Sequence, residues 1–218
     1  MQPEFWHECW RANEIGFHRA SVHPVLKRYL PRLNVRPGDS VFVPLCGKSI
    51  DMRYLRENGV LVIGVELSEL AVRAFFDEGA ITAEVSREGP FSVFAGGGFR
   101  IFCGDFFALE AAQIKGVSAV YDRAALIALP APLRSAYAQH MTGLLPPGTR
   151  TLLITHEYPA HEMQGPPFPI TDEEVDALFG ASFAIDPLEQ RDVLVEEPRF
   201  RERGITSFFE NAYLLTHG

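Results

Sequence analysis

Hydrophobic positions along this chain gather in short unbroken runs more than in long stripes. Val41-Phe42-Val43 and Val60-Leu61-Val62-Ile63-Gly64-Val65 are the first two. Continuous runs of β-branched and aliphatic residues suit parallel strands buried on both faces. Between them, Asp51, Met52, Tyr54 and Leu55 predict a helix that stops at Asn58-Gly59. The second run ends on Glu66, and Ser68 is placed to cap a helix through Leu70, Val72, Phe75 and Phe76. Phe91-Ser92-Val93-Phe94 and Phe99-Arg100-Ile101-Phe102 flank Ala95-Gly96-Gly97-Gly98, a hairpin whose second arm is the third main strand. Val117 to Arg123 predicts a fourth strand, Ala131 to Leu145 a helix, and Thr151 to Thr155 a fifth strand. Thr171-Asp172-Glu173-Glu174 matches a capping box that opens a helix through Val175 to Phe179. Arg191 to Glu197 and Ala212 to Thr216 predict a closing antiparallel pair. Upstream, Trp6 and Trp10 would share one helix face. Pro24 opens a second helix, which Pro31 closes.

Strands alternating with helices, then a terminal hairpin, predict an α/β sheet, mostly parallel with an antiparallel C-terminal edge strand. One domain over residues 1–218 is expected, with residues 1–36 forming a helical cover over the site. In such sheets ligands bind beyond the carboxyl ends of the strands. That rule selects Leu45 and Cys46, Glu66, Asp105, and Asp122-Arg123. Each acid also suits a helix N-cap, most clearly Asp105, fairly Asp122, and least Glu66, since Ser68 is better placed. Gly47 and Glu66 stand about twenty residues apart, the gap that nucleotide-binding α/β proteins leave between phosphate-side turn and ribose acid. The turn has one glycine where a dinucleotide fold has three, which favours a nucleoside cofactor without a diphosphate bridge. S-adenosylmethionine is the candidate, although any doubly wound domain with an acid at a strand end would fit.

Charge and composition narrow the partners. A formal charge of −8 opposes binding to a nucleic-acid backbone. No apolar run reaches membrane-spanning length, and the start carries neither a basic leader nor an apolar core, so a cytoplasmic protein is expected. Cys9, Cys46 and Cys103 are odd in number and far apart, which supports neither disulfides nor a zinc cluster. Gly47-Lys48-Ser49 resembles the end of a phosphate-binding loop, but Phe42 stands where its first glycine belongs. His156 and His161 are five apart with Pro159 between them, so they cannot share a helix face as zinc ligands, and no metal is expected.

Several stretches together carry a family resemblance. They are Phe5-Trp6-x3-Trp10 with Gly16-Phe17-His18, Val43-Pro44-Leu45-Cys46-Gly47-Lys48-Ser49, and Gly64-Val65-Glu66-Leu67-Ser68-Glu69-Leu70 with Phe75-Phe76. Tyr121-Asp122-Arg123-Ala124-Ala125-Leu126, Gly165-Pro166-Pro167-Phe168, Arg199-x4-Gly204-Ile205 and Tyr213-Leu214-Leu215-Thr216 follow in order. In these the chain resembles the thiopurine S-methyltransferases, bacterial type. The resemblance implies a class I S-adenosylmethionine-dependent methyltransferase sheet, Rossmann-like. It implies that Trp10, Leu45, Glu66 and Arg123 contact the cofactor, with Asp105 and Phe106 beside the adenine. Phe17, Phe168 and Arg199 would face the acceptor, although the residues before Arg199 differ from other members. The implied reaction moves a methyl group to the sulfur of a small aromatic or heterocyclic thiol such as a thiopurine, and the family is also linked to selenium and tellurium species. A monomer is expected. A heteroaromatic thiol is acidic enough to need no strong base, so Asp122 is a candidate proton acceptor beside its capping role. Competing readings are a small-molecule O- or N-methyltransferase and a non-catalytic S-adenosylmethionine-binding module.

Overall fold

The computed structural model describes residues 3–218; Met1 and Gln2, where the reading of a leaderless start begins, lie outside the described residues. The chain forms two compact units, one running to Tyr121 and one from Asp122 to Gly218. In chain order the first contains helices Pro3–Arg11 (α1) and Pro24–Tyr29 (α2), strand Ser40–Val43 (β1), helix Ile50–Glu57 (α3) and strand Leu61–Glu66 (β2). Helix Glu69–Glu78 (α4) and strands Glu84–Glu88 (β3), Phe91–Gly96 (β4) and Phe99–Cys103 (β5) follow. Strand Val117–Arg123 (β6) contains the boundary between the units. The second unit continues with helix Ala131–Leu144 (α5), strand Arg150–Glu157 (β7), helix Asp172–Phe179 (α6), strand Phe183–Asp192 (β8), helix Pro198–Glu202 (α7) and strand Phe209–His217 (β9).

In the first unit the hydrogen-bonded strand order is β3-β4-β5-β2-β1-β6. β1 lies parallel to β2, with Val41 opposite Val62, and β2 lies parallel to β5, with Glu66 opposite Cys103. Val41, Phe42, Val62, Val65, Ile101 and Phe102 are almost wholly buried, as their unbroken apolar runs require. Each such side chain stabilises the fold by about 1.5–3 kcal/mol. Ser49 and Ser68 cap α3 and α4, accepting from the amides of Asp51 and Ala71. A buried carboxylate, Asp51, accepts from the His23 amide at 2.8 Å and from the Tyr121 hydroxyl at 2.9 Å, which ties the start of α2 to α3 and β6. Among the described residues no helix is long and apolar enough to cross a membrane.

In the second unit β7 and β8 each pair antiparallel with β9. Two strands differ from the sequence expectation. β3 pairs with β4 through its backbone while all of its side chains stay exposed or half-exposed, so no apolar alternation marked it. The strand expected at Arg191 to Glu197 is instead β8, ending at Asp192. Its Pro187 sits where the register against β9 shifts, a place an edge strand tolerates proline. Beyond it the Asp192 carboxylate accepts from the Leu194 amide at 2.9 Å, turning the chain and leaving Val195 81% exposed.

Candidate active site

The turn after β1 is shaped by backbone conformations that side chains seldom adopt. Leu45 has φ 44° and Gly47 φ 53°. A non-glycine residue held there costs on the order of 1–3 kcal/mol, and such strain clusters at ligand sites. Gly47 also has a neighbour that requires its bareness, because a Cβ would lie 3.2 Å from the Trp10 indole. Trp10 is buried, and Trp6 and Trp10 both meet Phe17 edge-on, at ring distances of 5.7 and 5.5 Å. Such edge-to-face pairs add about 0.5–1.5 kcal/mol beyond area burial.

Glu66 ends β2 as a buried carboxylate that staples this turn to the next helix. Oε2 accepts from the Gly47 amide and Oε1 from the Ser68 amide, each at 2.8 Å. Burial raises its pKa, and the amides of Ser68, Gly47 and Leu67 pull it back down. An ionised carboxylate offers about four lone-pair sites. Three amides leave part of that capacity for a hydroxyl. The Glu66 carbonyl accepts from the Gly104 amide at 2.9 Å, so Asp105 and Phe106 follow directly beside it. Asp105 is exposed and caps the short turn Phe106–Ala108, accepting from the Phe107 amide at 3.0 Å, while Phe106 turns inward. Burial holds Cys46 well above the ordinary thiol range and pushes Cys103 up to about 11, so neither is poised as a nucleophile. Trp10, Phe17, Leu45, Glu66, Asp105 and Phe106 thus belong to one end of the first unit.

The second unit opens on Asp122, buried at the end of β6. Oδ1 accepts from the Leu126 amide at 3.3 Å and Oδ2 from the Tyr137 hydroxyl at 2.7 Å. Burial drives its pKa up to about 6, against the pull of Tyr137 and of the Leu126 and Ala125 amides. Arg123 is half-buried, and Ala124 behind it has φ 65°. Arg199, on α7, lays its guanidinium 4.5 Å from the Phe200 ring centroid and pairs with Glu197 at 3.2 Å. Partial burial lowers its pKa and the Glu197 carboxylate opposes this, while the charges of Arg123 and Arg203 lower it further. The Arg123 charge is thus near enough to bear on Arg199.

Phe168 stands apart from that pair in sequence, on the loop after β7. Its amide donates to the Ile127 carbonyl at 2.7 Å, and a Cβ on Gly165, which has φ 72°, would lie 2.5 Å from its ring. Tyr137, Arg134 and Tyr158 surround Asp122 and Phe168 without any signal in the sequence; only the fold brings them there. A separate open groove of about 490 Å³, lined by Arg73, Phe76, Asp77, Val85 and Phe94 among others, shares no residue with the candidate site. Among the described residues no group of three His, Cys, Asp or Glu side chains could hold a metal ion.

The donor set of the first unit fits a nucleoside cofactor. The Gly47 turn packs closely under an indole, and beside it a buried carboxylate keeps acceptor capacity for ribose hydroxyls. Comparison with known proteins agrees. The chain is 49% identical over 215 residues to a thiopurine S-methyltransferase of Nitrosospira multiformis, covering 99% of this chain and 98% of that one. It is 46% identical over 215 residues to one of Pseudomonas fluorescens, at 99% of each. Among solved structures, the 1,6-didemethyltoxoflavin-N1-methyltransferase of Burkholderia thailandensis, with 1,6-didemethyltoxoflavin and S-adenosylhomocysteine bound, superposes with a TM-score of 0.65. The identity there is 17%, over 98% of this chain and 87% of that one. Mycolic acid cyclopropane synthase with bound S-adenosylhomocysteine gives 0.62 at 14% identity, over 88% of this chain and 82% of that one. These two likenesses establish the methyltransferase fold. The family model for thiopurine S-methyltransferase spans residues 1–218, and the chain belongs to that family.

Proposed function

We propose that the protein is an S-adenosylmethionine-dependent methyltransferase whose acceptor is the sulfur of a small aromatic or heterocyclic thiol, thiopurines included. The observation that carries the cofactor half is Glu66, a buried strand-end carboxylate fixed by backbone amides that do not use all of its acceptor sites. Bound there, S-adenosylmethionine supplies a methyl group made electrophilic by its sulfonium. Glu66 takes the ribose hydroxyls, the Leu45 turn lies along the methionine moiety, and Trp10 covers it from α1. Asp105 and Phe106 flank the adenine.

On the acceptor side the chain has to orient a flat ring and favour its thiolate. Phe168 offers an aromatic ring for this in the second unit, and Phe17 offers one in the first. The charges of Arg123 and Arg199, near enough to bear on each other, favour an anionic acceptor. Orientation alone is worth up to roughly 7–11 kcal/mol at its limit, so no strong base is required. Both oxygens of Asp122 are engaged by Tyr137 and Leu126, which suits a strut better than a proton acceptor.

The test is transfer of labelled methyl from S-adenosylmethionine to 6-mercaptopurine, with selenite, catechol and an arylamine in parallel. Selective labelling of the thiol is expected, and labelling of selenite would extend the activity to selenium. Labelling of catechol or the arylamine instead would overturn the thiol assignment. Cofactor binding with no labelled product at all would leave a binding module.

A further inference from the structure

Phe168 is held from the start of its own loop, by Tyr158, and from α5, by Arg134. Tyr158, one residue past β7, is buried and donates its hydroxyl to the Pro167 carbonyl at 2.7 Å. Arg134, in α5, sets its guanidinium 5.7 Å from the Phe168 ring centroid. That guanidinium is itself immobilised: Nε donates to the Leu129 carbonyl at 2.9 Å, and a terminal nitrogen to Glu174 at 2.5 Å. Arg134 is close enough for its charge to oppose the burial that lifts the Tyr158 phenol to about 12. The carbonyl that precedes Phe168 and the Phe168 ring are thus held by two different side chains.

The grip continues towards Arg199. The Tyr158 ring stacks on Phe208 at 5.6 Å, and Phe208 stacks on Phe200 at 4.2 Å, next to Arg199. Val193 and Ile205 complete this apolar cluster. Glu162 fastens its rim, accepting from the Thr206 amide at 2.8 Å and the Thr206 hydroxyl at 2.7 Å. One small core therefore underlies both the Phe168 loop and the α7 helix.

We propose that Tyr158 and Arg134 are positioning residues that set acceptor selectivity, because together they hold the Pro167 carbonyl that leads into Phe168 and the ring of Phe168 itself. The proposal rests on the assignment of Phe168 to the acceptor side. A bicyclic acceptor covers more of an aromatic wall than a monocyclic one, so displacing the wall penalises it more. Tyr158→Phe keeps the stack on Phe208 and deletes only the bond to Pro167. Arg134→Lys keeps the charge and loses the planar fork.

The experiment compares 6-mercaptopurine with thiophenol in the wild type and these two variants. It reads kcat and KM for each thiol, the affinity for S-adenosylhomocysteine, the binding of 6-mercaptopurine to that complex, and the thermal midpoint. Losing one hydrogen bond should raise KM and Kd for 6-mercaptopurine about fivefold, with kcat and the thiophenol KM within about twofold. Arg134→Lys should shift selectivity in the same direction, and S-adenosylhomocysteine affinity should hold in both. Equal changes for the two thiols, or none, would overturn the proposal and leave Tyr158 and Arg134 as stabilising residues only. Phe168→Ala separates the levels. If it leaves the KM of both thiols unchanged, Phe168 is not on the acceptor side and the clamp falls with it. If it moves the 6-mercaptopurine KM while the other two variants do not, the clamp alone falls. A wild type that transfers to neither thiol overturns both.

Discussion

Two buried carboxylates finish two strands of this protein, and they are held in different ways. Glu66 receives backbone amides, Gly47 on Oε2 and Ser68 on Oε1, with Leu67 beside them. Asp122 receives one backbone amide and the hydroxyl of Tyr137, itself wholly buried in α5. Backbone donors fixed by a turn and a helix start hold a carboxylate without a side chain packed against it. At Asp122 a phenol reaching across from a packed helix supplies that side chain. The first arrangement suits the receptor role proposed above, the second a strut. Burial raises both pKa values, so titration behaviour alone would not separate them; the identity of the donors does.

The largest expected effect tests the receptor. Glu66→Ala removes the acceptor of two hydroxyls together with the staple of the Gly47 turn. Hydrogen bonds to charged groups are worth about 1.5–3 kcal/mol each, so S-adenosylhomocysteine affinity should fall about a hundredfold or more by calorimetry. Unchanged affinity would remove Glu66 from the site. A smaller effect is expected at Gly47→Ala, where φ 53° and the Trp10 indole at 3.2 Å both oppose a methyl group. Left-handed backbone costs a non-glycine residue about 1–2 kcal/mol, which predicts roughly tenfold weaker cofactor binding or an equivalent loss of stability. If neither changed, the close approach of Trp10 would have no role in the turn.

The smallest effect tests the strut. Asp122→Asn should leave S-adenosylhomocysteine affinity within about threefold and reduce turnover less than tenfold, about 1.4 kcal/mol. A far larger loss of turnover with affinity intact would make Asp122 a base after all. Stability gives a second reading of the same residue. Its folded pKa is about 6 against an ordinary value of 3.8, so between those values the folded state binds more protons. Stability from this group is therefore full below the lower value and lost as pH rises through the upper one. Urea midpoints at pH 5 and pH 7 should show the wild type gaining more on acidification than Asp122→Asn. Equal gains would mean that the carboxylate is not buried as described.

The receptor was far more legible in the sequence than the strut and its surroundings. β1, its turn, β2, Glu66 and the Ser68 cap lie in one stretch whose apolar runs and spacing speak for themselves. The left-handed conformations of Leu45 and Ala124 left no trace, because neither is glycine or asparagine. β3 and β8 escaped for the same physical reason: each is an edge strand held by backbone pairing, with little apolar face to read. Around Asp122 and Phe168, the decisive partners are Tyr137 and Arg134 on α5 and Tyr158 just past β7. Ordinary residue types meeting only after folding carry no local pattern. Glu174 shows the limit within a motif that was read: Thr171 caps α6 as its capping box suggests, but the acid of that box turns to Arg134.

The chain contains two tryptophans, and both lie on α1 with Phe17 edge-on to each. Indole emission from the whole protein therefore comes from one helix, and the Trp10 share comes from a ring resting on Gly47. The molecule carries its own optical gauge of that contact. Intensity and colour report, without a label, whether α1 is seated on the β1 turn, and Trp6→Phe would leave Trp10 as the sole emitter.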